Sequence, residues 1–269
     1  MLSIVIVNYK TPDILRICIK SIKDATQSTQ HEVIVVDSES DGELGDVLQE
    51  EFPGIKFLFF ENNAGYAKCV NAGLKIVKGE FILVLNADII AEKDSIEKML
   101  EYLKSQNKVG MIGPKLVSFN GKSQYSAFRF YTPFLIILRR TFLGKLKFGK
   151  KALNEFLLKD KNIENLKIPL KVDWLMGSAL LLKKRAFEKV GGMDENFFMY
   201  FEDVDWALRF WQNGFEVVYF PQTKMHHFHG QVSKKIGSFD IFFNKMTWAH
   251  IKSAVYYFKK HGLKTTHYV

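Results

Sequence analysis

In the first hundred residues, short apolar runs alternate with stretches whose apolar positions recur at helical spacing. Residues 2–7, 32–36, 55–60 and 81–85 read as strands. Between them, residues 12–25 place Ile14, Leu15, Cys18, Ile19 and Ile22 on one helical face, with Thr11 as the expected N-cap and Pro12 at the first helical position. Residues 41–52, 64–77 (ending at Gly79) and 93–104 are the other helices. This alternation predicts an α/β fold, a Rossmann-like, mostly parallel central sheet flanked by helices. Ligands of such sheets bind at the carboxyl ends of the strands, where Asn8, Asp37, Asn62 and Asn86-Ala87-Asp88 fall.

Beyond residue 109 the pattern changes. Residues 109–119 and 124–130 read as strands joined through Asn120-Gly121, a hairpin signal that predicts a small antiparallel sheet. Residues 134–171 are helix-prone without a clean period, as in an insertion or a mobile lobe. A strand over 172–182, a short helix over 184–190 stopped by Gly191-Gly192, and an amphipathic helix over 202–212 stopped by Gly214 follow. A strand over 215–220 is expected to end at Pro221, and an aromatic-rich helix spans 238–260. The expected organisation is one domain over about 1–233, with its first part (about 1–118) facing one ligand and its second (about 119–233) another, then a C-terminal helical extension over 234–269.

Composition changes this picture in two ways. At 47% hydrophobic and 25% charged residues the chain is ordinary globular material, which excludes wholesale disorder. No apolar run approaches the roughly 20 residues of a membrane span, the first residues lack the basic start of a signal peptide, and two cysteines are too few for a disulfide scaffold, so a reducing cytoplasm is expected. The net charge of +9 is uneven: residues 134–171 carry ten Lys/Arg against three Asp/Glu, and residues 224–269 eight against one. Two basic zones on an otherwise acidic body point to an anionic partner, or to a solvated lysine surface.

Three clusters carry chemistry. Asn86 and Asp88, two apart at a strand end, point the same way if the chain stays extended, and oxygen ligands of this kind suit Mg²⁺ or Mn²⁺. A helix cap explains Asp88 alone equally well, as it does Asp37. His226, His227 and His229 put three imidazoles within four residues, a set that suits Mn²⁺ or Zn²⁺. Glu202, Asp203 and Asp205 open a helix among Phe197, Phe198, Tyr200 and Phe201. The helix dipole accounts for acids in a first turn. Aromatic burial and like-charge crowding, however, would raise a carboxyl pKa toward the range of a general base. Arg209 shares the helix face of Asp205 and Glu202 and is placed to hold either.

The motifs V-N-Y (7–9), V-V-D-S (35–38), E-N-N-A-G-Y-A (61–67), L-N-A-D (85–88), G-G-M-D-E-N-F-F-M-Y-F-E-D-V-D (191–205) and H-H-F-H-G (226–230) occur in an order that resembles the family 2 glycosyltransferases. G-K-S-Q-Y-S-A-F-R-F-Y-T-P (121–133) with D-W-L-M-G-S-A (173–179) is similar to their rhamnosyltransferase-like branch, and the resemblance covers residues 2 to about 233. It implies a GT-A fold, a nucleotide-sugar donor, an Mn²⁺ or Mg²⁺ cofactor and inversion at the anomeric carbon. Under it, Asp37 meets the nucleotide base, with Val7, Asn8, Tyr9 and Thr11 lining the same pocket. Asn62, Asn63, Gly65, Tyr66 and Asn71 match the donor-side loop and helix. Asp88 matches the second carboxylate of the family's D-x-D metal motif, Ala87 the middle, and Asn86 stands at the first position, where it reaches sugar or nucleotide. Asp203 matches the catalytic base, with Glu202 beside it. His227 matches the metal- or diphosphate-binding histidine, with His229 as the competing assignment. Trp174 and Gly177 fall in the acceptor or sugar pocket, and Arg129 is a weaker candidate there.

Two other classes remain to be weighed. A sugar-phosphate nucleotidyltransferase would want a Gly-rich basic loop after the first strand, which Asn8-Tyr9-Lys10-Thr11-Pro12 is not. A nucleic-acid binder fits the charge, but no recognised module is present and acids fill the presumed cleft. The expected partners are a dTDP- or UDP-linked donor and a glycan or lipid-linked acceptor in bacterial cell-surface polysaccharide synthesis. The mixture of Arg with Leu, Ile and Phe over 134–143, and the aromatics of 239–258, further raise peripheral contact with the anionic inner face of a cell membrane, with packing onto the domain itself or onto a second subunit of a homodimer as the competing explanation.

Overall fold

The structure, a computed structural model, describes residues 1–40, 44–228, 245–263 and 268. Strand β1 (Leu2–Asn8) is buried at nearly every position, as the centre of a parallel sheet requires. It lies between β2 (His31–Ser38) and β4 (Phe81–Asn86), with β3 (Lys56–Phe60) outside β2, all parallel. Helices α1 (Pro12–Ala25), α2 (Leu44–Glu51) and α3 (Tyr66–Leu74) make the connections. Pro12 opens α1 as expected, but Thr11 does not cap it: its hydroxyl donates to Asn8 Oδ1 at 2.8 Å instead.

After β4 come β5 (Ile89–Ala91), α4 (Ser95–Ser105) and β6 (Val109–Val117). The hairpin predicted at Asn120-Gly121 exists, but β7 (Ser123–Gln124) pairs with β6 only through Leu116↔Gln124 and Val117↔Ser123. The chain then leaves for β8 (Ala127–Phe128), which forms a separate small antiparallel sheet with β10 (Trp174–Leu175). The single strand expected over 172–182 is therefore two: β10 belongs to the small sheet, and β11 (Ala179–Lys183) pairs with β4 and β6 in the large one. A continuous apolar run does not reveal a change of sheet, because both halves are buried.

The large sheet has the order β3-β2-β1-β4-β11-β6-β12-β5, where β12 is Glu216–His227 and β9 (Leu170–Lys171) pairs at its side. β1–β4, β6 and β12 share one direction, so the sheet is mostly parallel, as predicted. Pro221 does not end β12. The register against β6 shifts between Phe220 and Lys224, and an irregularity of this kind accommodates a residue with no N–H to give the ladder.

Each face of the sheet carries its own core. The basic segment after residue 133 is not a detached lobe: it forms α5 (Pro133–Arg140) and α6 (Lys147–Phe156), and its Leu135, Phe156 and Ile163 join the larger core. The helices α7 (Lys184–Val190) and α8 (Glu202–Gln212) have the predicted limits. The last helix, α9 (Lys245–His261), is part of the one expected over 238–260, and positions 238–244 lie outside the described residues. It is docked rather than appended, since Tyr257 is fully buried in the larger core. It is also pinned by charge. Fully buried Asp205 of α8 accepts from Arg209 Nε (2.8 Å), Lys260 Nζ (2.6 Å) and His261 Nε2 (2.7 Å). Arg209 thus holds Asp205, as its spacing allowed, and not Glu202.

Candidate active site

Parallel pairing brings the strand ends together. Asn8 stands opposite Asp37, and Val7 opposite Asn86. The Asn8 amide donates to Asp37 Oδ1 at 2.5 Å, and Ser40 gives Asp37 two more hydrogen bonds, from its hydroxyl (2.8 Å) and its N–H (3.2 Å). Ala87 is tied to β1 by its N–H, which donates to the Val7 carbonyl at 2.9 Å. Tyr9 is half exposed, with its hydroxyl on Glu39. Asn62 and Asn63 are exposed on the loop after β3, where the Asn62 carbonyl accepts from Ser38 Oγ and Asn63 Oδ1 from the Gly65 N–H. Gly65 has φ +81°, and a Cβ there would stand 2.8 Å from the Phe198 carbonyl oxygen, so only glycine fits. Asn71 is placed elsewhere: its side chain both donates to the Met193 carbonyl and accepts from the Met193 N–H, each at 2.8 Å, and so fastens α3 to the turn before the acidic helix.

One cavity of about 550 Å³ opens at these strand ends. Asn86, Asp88 and His227 form one wall, Glu202 and Asp203 another, and Tyr66 and Gly177 lie between them. Thr11 reaches its rim from α1. Asp88 sits in the turn between β4 and β5, and β5 pairs antiparallel with the end of β12, Ile89 opposite His227. That pairing sets His227 Nε2 3.5 Å from Asp88 Oδ2. Gln124 fixes the ring. Its Nε2 donates to the His227 carbonyl at 3.1 Å, so its Oε1, 2.9 Å from His227 Nδ1, must accept a proton from that nitrogen. This tautomer turns the Nε2 lone pair toward the carboxylate, and two such groups face one another comfortably only across a proton or a cation. Burial raises the Asp88 carboxyl to about 6. Asp88 Oδ1 and Asn86 Oδ1 are buried and have no hydrogen-bond partner. The oxygen and imidazole donors, with these orphaned oxygens, fit a hard divalent cation. Among the described residues no three His, Cys, Asp or Glu side chains come together as a metal cluster, and His229 lies outside those residues.

On the opposite wall, Asp203 Oδ2 accepts from the Gly177 N–H and Oδ1 from the Val204 N–H, both at 2.9 Å. Burial outweighs these bonds and raises Asp203 to about 6. Glu202 is pushed well above its ordinary value by burial and by the neighbouring Asp203 charge, and its Oε2 has no partner. Like charges this close in a buried setting resist ionising together, so each carboxyl holds its proton more tightly than it would in water. The two residues before this helix, Tyr200 and Phe201, have φ of +68° and +69°, a left-handed pair without glycine. Strain of this kind costs about 1–3 kcal/mol per residue and persists only where the surroundings enforce it. Tyr66 spans the walls: its hydroxyl donates to the Gly177 carbonyl at 2.6 Å.

The remaining wall is aromatic. Trp174 stacks on Phe128 (centroids 4.3 Å apart, 18° between planes), and its Nε1 donates to the Arg129 carbonyl at 2.8 Å. Arg129 thus serves the pocket through its backbone, while its guanidinium faces Asp160 at 3.4 Å. Tyr131, Phe201 and His250 complete the wall. Tyr131 lies inside a motif already quoted, but only the β8–β10 pairing places it at the cavity. His250 is on α9, outside every motif, and no sequence signal marks it. Burial and the charges of Arg140 and Arg139 lower its imidazole to about 4, so it is neutral.

Residues 3–191 match the model of glycosyl transferase family 2, and residues 160–231 that of the N-terminal domain of galactosyltransferase. The chain is 28% identical over 238 residues to an N-acetylglucosaminyl-diphospho-decaprenol L-rhamnosyltransferase of Mycobacterium tuberculosis, covering 84% of this chain and 76% of the relative. It is 25% identical over 268 residues to rhamnosyltransferase WbbL of Escherichia coli (96% and 92% covered), and 27% over 212 residues to dTDP-rhamnosyl transferase RfbF of Shigella flexneri (78% and 64%). Among solved structures, GalNAc-T7 with UDP, GalNAc and Mn²⁺ superposes with a TM-score of 0.63 at 15% identity, and TarS of S. aureus with 0.57 at 16%. Each covers 84% of this chain, which spans 43% and 36% of their respective lengths, and the likeness is one of fold. With the family model covering most of the chain and rhamnosyltransferases among its relatives, the protein is a glycosyltransferase of GT-A fold that belongs to glycosyl transferase family 2.

Proposed function

We propose that the protein transfers a sugar, with inversion, from a nucleotide-sugar donor to a hydroxyl of a glycan or lipid-linked saccharide in bacterial cell-surface polysaccharide synthesis. The observation that carries this reading is the convergence of Asp88 and His227 with Asp203 in the lining of one cavity. Relatives named for dTDP-rhamnosyl transfer and for a diphospho-decaprenol acceptor favour dTDP-rhamnose as donor over a UDP-sugar and a lipid-linked acceptor over a free glycan.

The nucleotide lies over the ends of β1 and β2, with the Asn8–Asp37 pair below the base and the loop through Asn62, Asn63 and Gly65 beside it. Asp88 and His227 would hold Mn²⁺ or Mg²⁺, which would neutralise charge on the departing nucleoside diphosphate. Asn86 Oδ1, otherwise orphaned, accepts a hydroxyl of the sugar or ribose. The acceptor packs on Trp174 and Tyr131 with its reacting hydroxyl at Asp203. Asp203 takes that proton as the acceptor oxygen attacks the anomeric carbon from the face opposite the leaving diphosphate. Buried Cys18 and Cys69 pack the core, since a single displacement needs no enzymatic nucleophile.

Melting the protein with dTDP, UDP and their sugars, with and without Mn²⁺ or Mg²⁺, tests the donor half. A cation-dependent shift with dTDP-rhamnose is expected, and no shift with any nucleoside diphosphate would refute the reading.

A further inference from the structure

The surface beside the cavity mouth combines apolar exposure with unbalanced charge. On α5, Phe134 and Ile137 are one helical turn apart and both about half exposed. The Phe134 ring stacks with that of Phe148 at the start of α6 (centroids 6.4 Å apart, 17°). Between these helices Phe142 is 72% exposed, and Leu146 is exposed beside it in sequence. A cluster of large apolar side chains in water at this density marks a contact surface. Residues 134–151 also carry Arg139, Arg140, Lys145, Lys147, Lys150 and Lys151 and no acid. Among the described residues none of these six forms an ion pair.

The patch is continuous with the cavity. Arg139 donates to the hydroxyl of Tyr131 in the cavity wall and lies over its ring at 5.5 Å. The Arg140 charge acts on both Tyr200 and His250, which line the same cavity. No helix among the described residues is long and apolar enough to cross a membrane.

We propose that the α5–α6 face is a peripheral docking surface for an anionic phospholipid bilayer. Phe134, Ile137, Phe142 and Phe148 enter the headgroup boundary, the flanking Lys and Arg meet lipid phosphates, and the cavity mouth is held at the membrane, where a lipid-linked acceptor emerges. The assignment deepens the acceptor reading above and rests on it for the sense of this orientation. Charge selects the occupant: six cations around an apolar centre, with no acidic partner among the described residues, complement an anionic surface and would repel a second copy of the same patch.

Flotation of the full chain with vesicles of phosphatidylcholine alone, or of phosphatidylcholine with phosphatidylglycerol, decides the matter. Binding is expected to the anionic vesicles only, and to fall with salt. The variant F134S/F142S/F148S should lose it. K145Q/K147Q/K150Q/K151Q should weaken it by roughly fivefold for each charge removed. Both should keep the wild-type melting curve and its dTDP-dependent shift, because these side chains are exposed and lie outside the cavity. Equal binding to both vesicle types, no binding by the wild type, or unchanged binding by the variants would overturn the proposal. So would a concentration-dependent dimer abolished by F142S, which would give this face to another copy. The dTDP shift is scored separately, so failure of the bilayer contact is distinguishable from failure of the enzymatic reading.

Discussion

Asp203 shows how one side chain joins environment to chemistry. Its carboxyl is raised to about 6 by burial, so the ionised form that accepts a proton fills in as pH rises through that value. Turnover should climb with pH up to about 6 and level above it, read as kcat against pH with saturating donor and acceptor. The linked effect on stability has the opposite sign: a carboxyl that holds its proton more tightly folded than unfolded contributes less stability as pH rises through the same window. Asp203→Asn keeps an acceptor for one of the two backbone N–H groups but cannot take a proton. A loss of about 10²–10⁴ in kcat with a retained fold is expected, and a cooperative melt beside the rate assay checks both. Gln124 is subtler. Its side chain bonds His227 and does not reach Asp88, yet it sets the tautomer that faces that carboxylate. Gln124→Ala should weaken Mn²⁺ affinity about 10–100-fold, measured by titrating the metal against the dTDP-dependent thermal shift. The strand-end candidates Asp88, Asn86 and Asp37 were legible in sequence because a parallel sheet delivers its carboxyl ends to one side. Gln124 was not, since its role depends on a partner 103 residues away.

Among the elements, α1, α7 and α8 have the limits that helical spacing, Pro12 and the following glycines predict. The departures lie where tertiary pairing overrides a local signal: 172–182 divides between two sheets, and β12 continues through Pro221. The aromatic wall was hidden for the same reason, because it is assembled from β8, β10, α8 and α9. Helix α9 depends on Asp205. That carboxyl is fully buried and held below its ordinary value by His261, Arg209 and Lys260, although burial opposes them. A depressed carboxyl pKa gives stability that is present above the unfolded value, near 3.8, and is lost as pH falls through the lower folded one. Asp205→Asn leaves Arg209 without its counter-charge and Lys260 with Asp194 alone, and should destabilise by about 3–5 kcal/mol, seen as a lower melting temperature at neutral pH. The difference from wild type should narrow in acid.

For the whole molecule, the net charge of +9 is a sum of unlike parts. The acidic body holds the carboxylates of the cavity, and much of the positive excess lies on the α5–α6 face beside the cavity mouth. A charge that in sequence pointed to phosphate-rich ligands, anionic lipid, nucleic acid or merely solvated lysine lies, once folded, partly beside the candidate cavity. The loop after β3 and the loop before the acids meet at Gly65, whose N–H donates to Asn63 and where the next residue, Tyr66, donates its N–H to the Phe198 carbonyl at 3.3 Å. Gly65→Ala adds a methyl group 2.8 Å from that oxygen in a backbone conformation unfavourable to alanine. It should lower kcat/KM and melting temperature together, by about 1–3 kcal/mol in stability.

The shift in β12 has a consequence for heredity as well as geometry. Before it, Val218 and Phe220 face the smaller core. After it that face belongs to Met225, an odd-numbered position, because residues 221–223 add an uneven number of steps. His227 shares the parity of Met225. Gaining one codon in that stretch, with the pairing to β5 kept, would place His226 opposite Ile89 beside Asp88 and carry His227 one step on to the other face, with every ligand type still encoded. Which imidazole faces Asp88 is therefore written in the spacing upstream of the histidines, and a gene could exchange them without changing either.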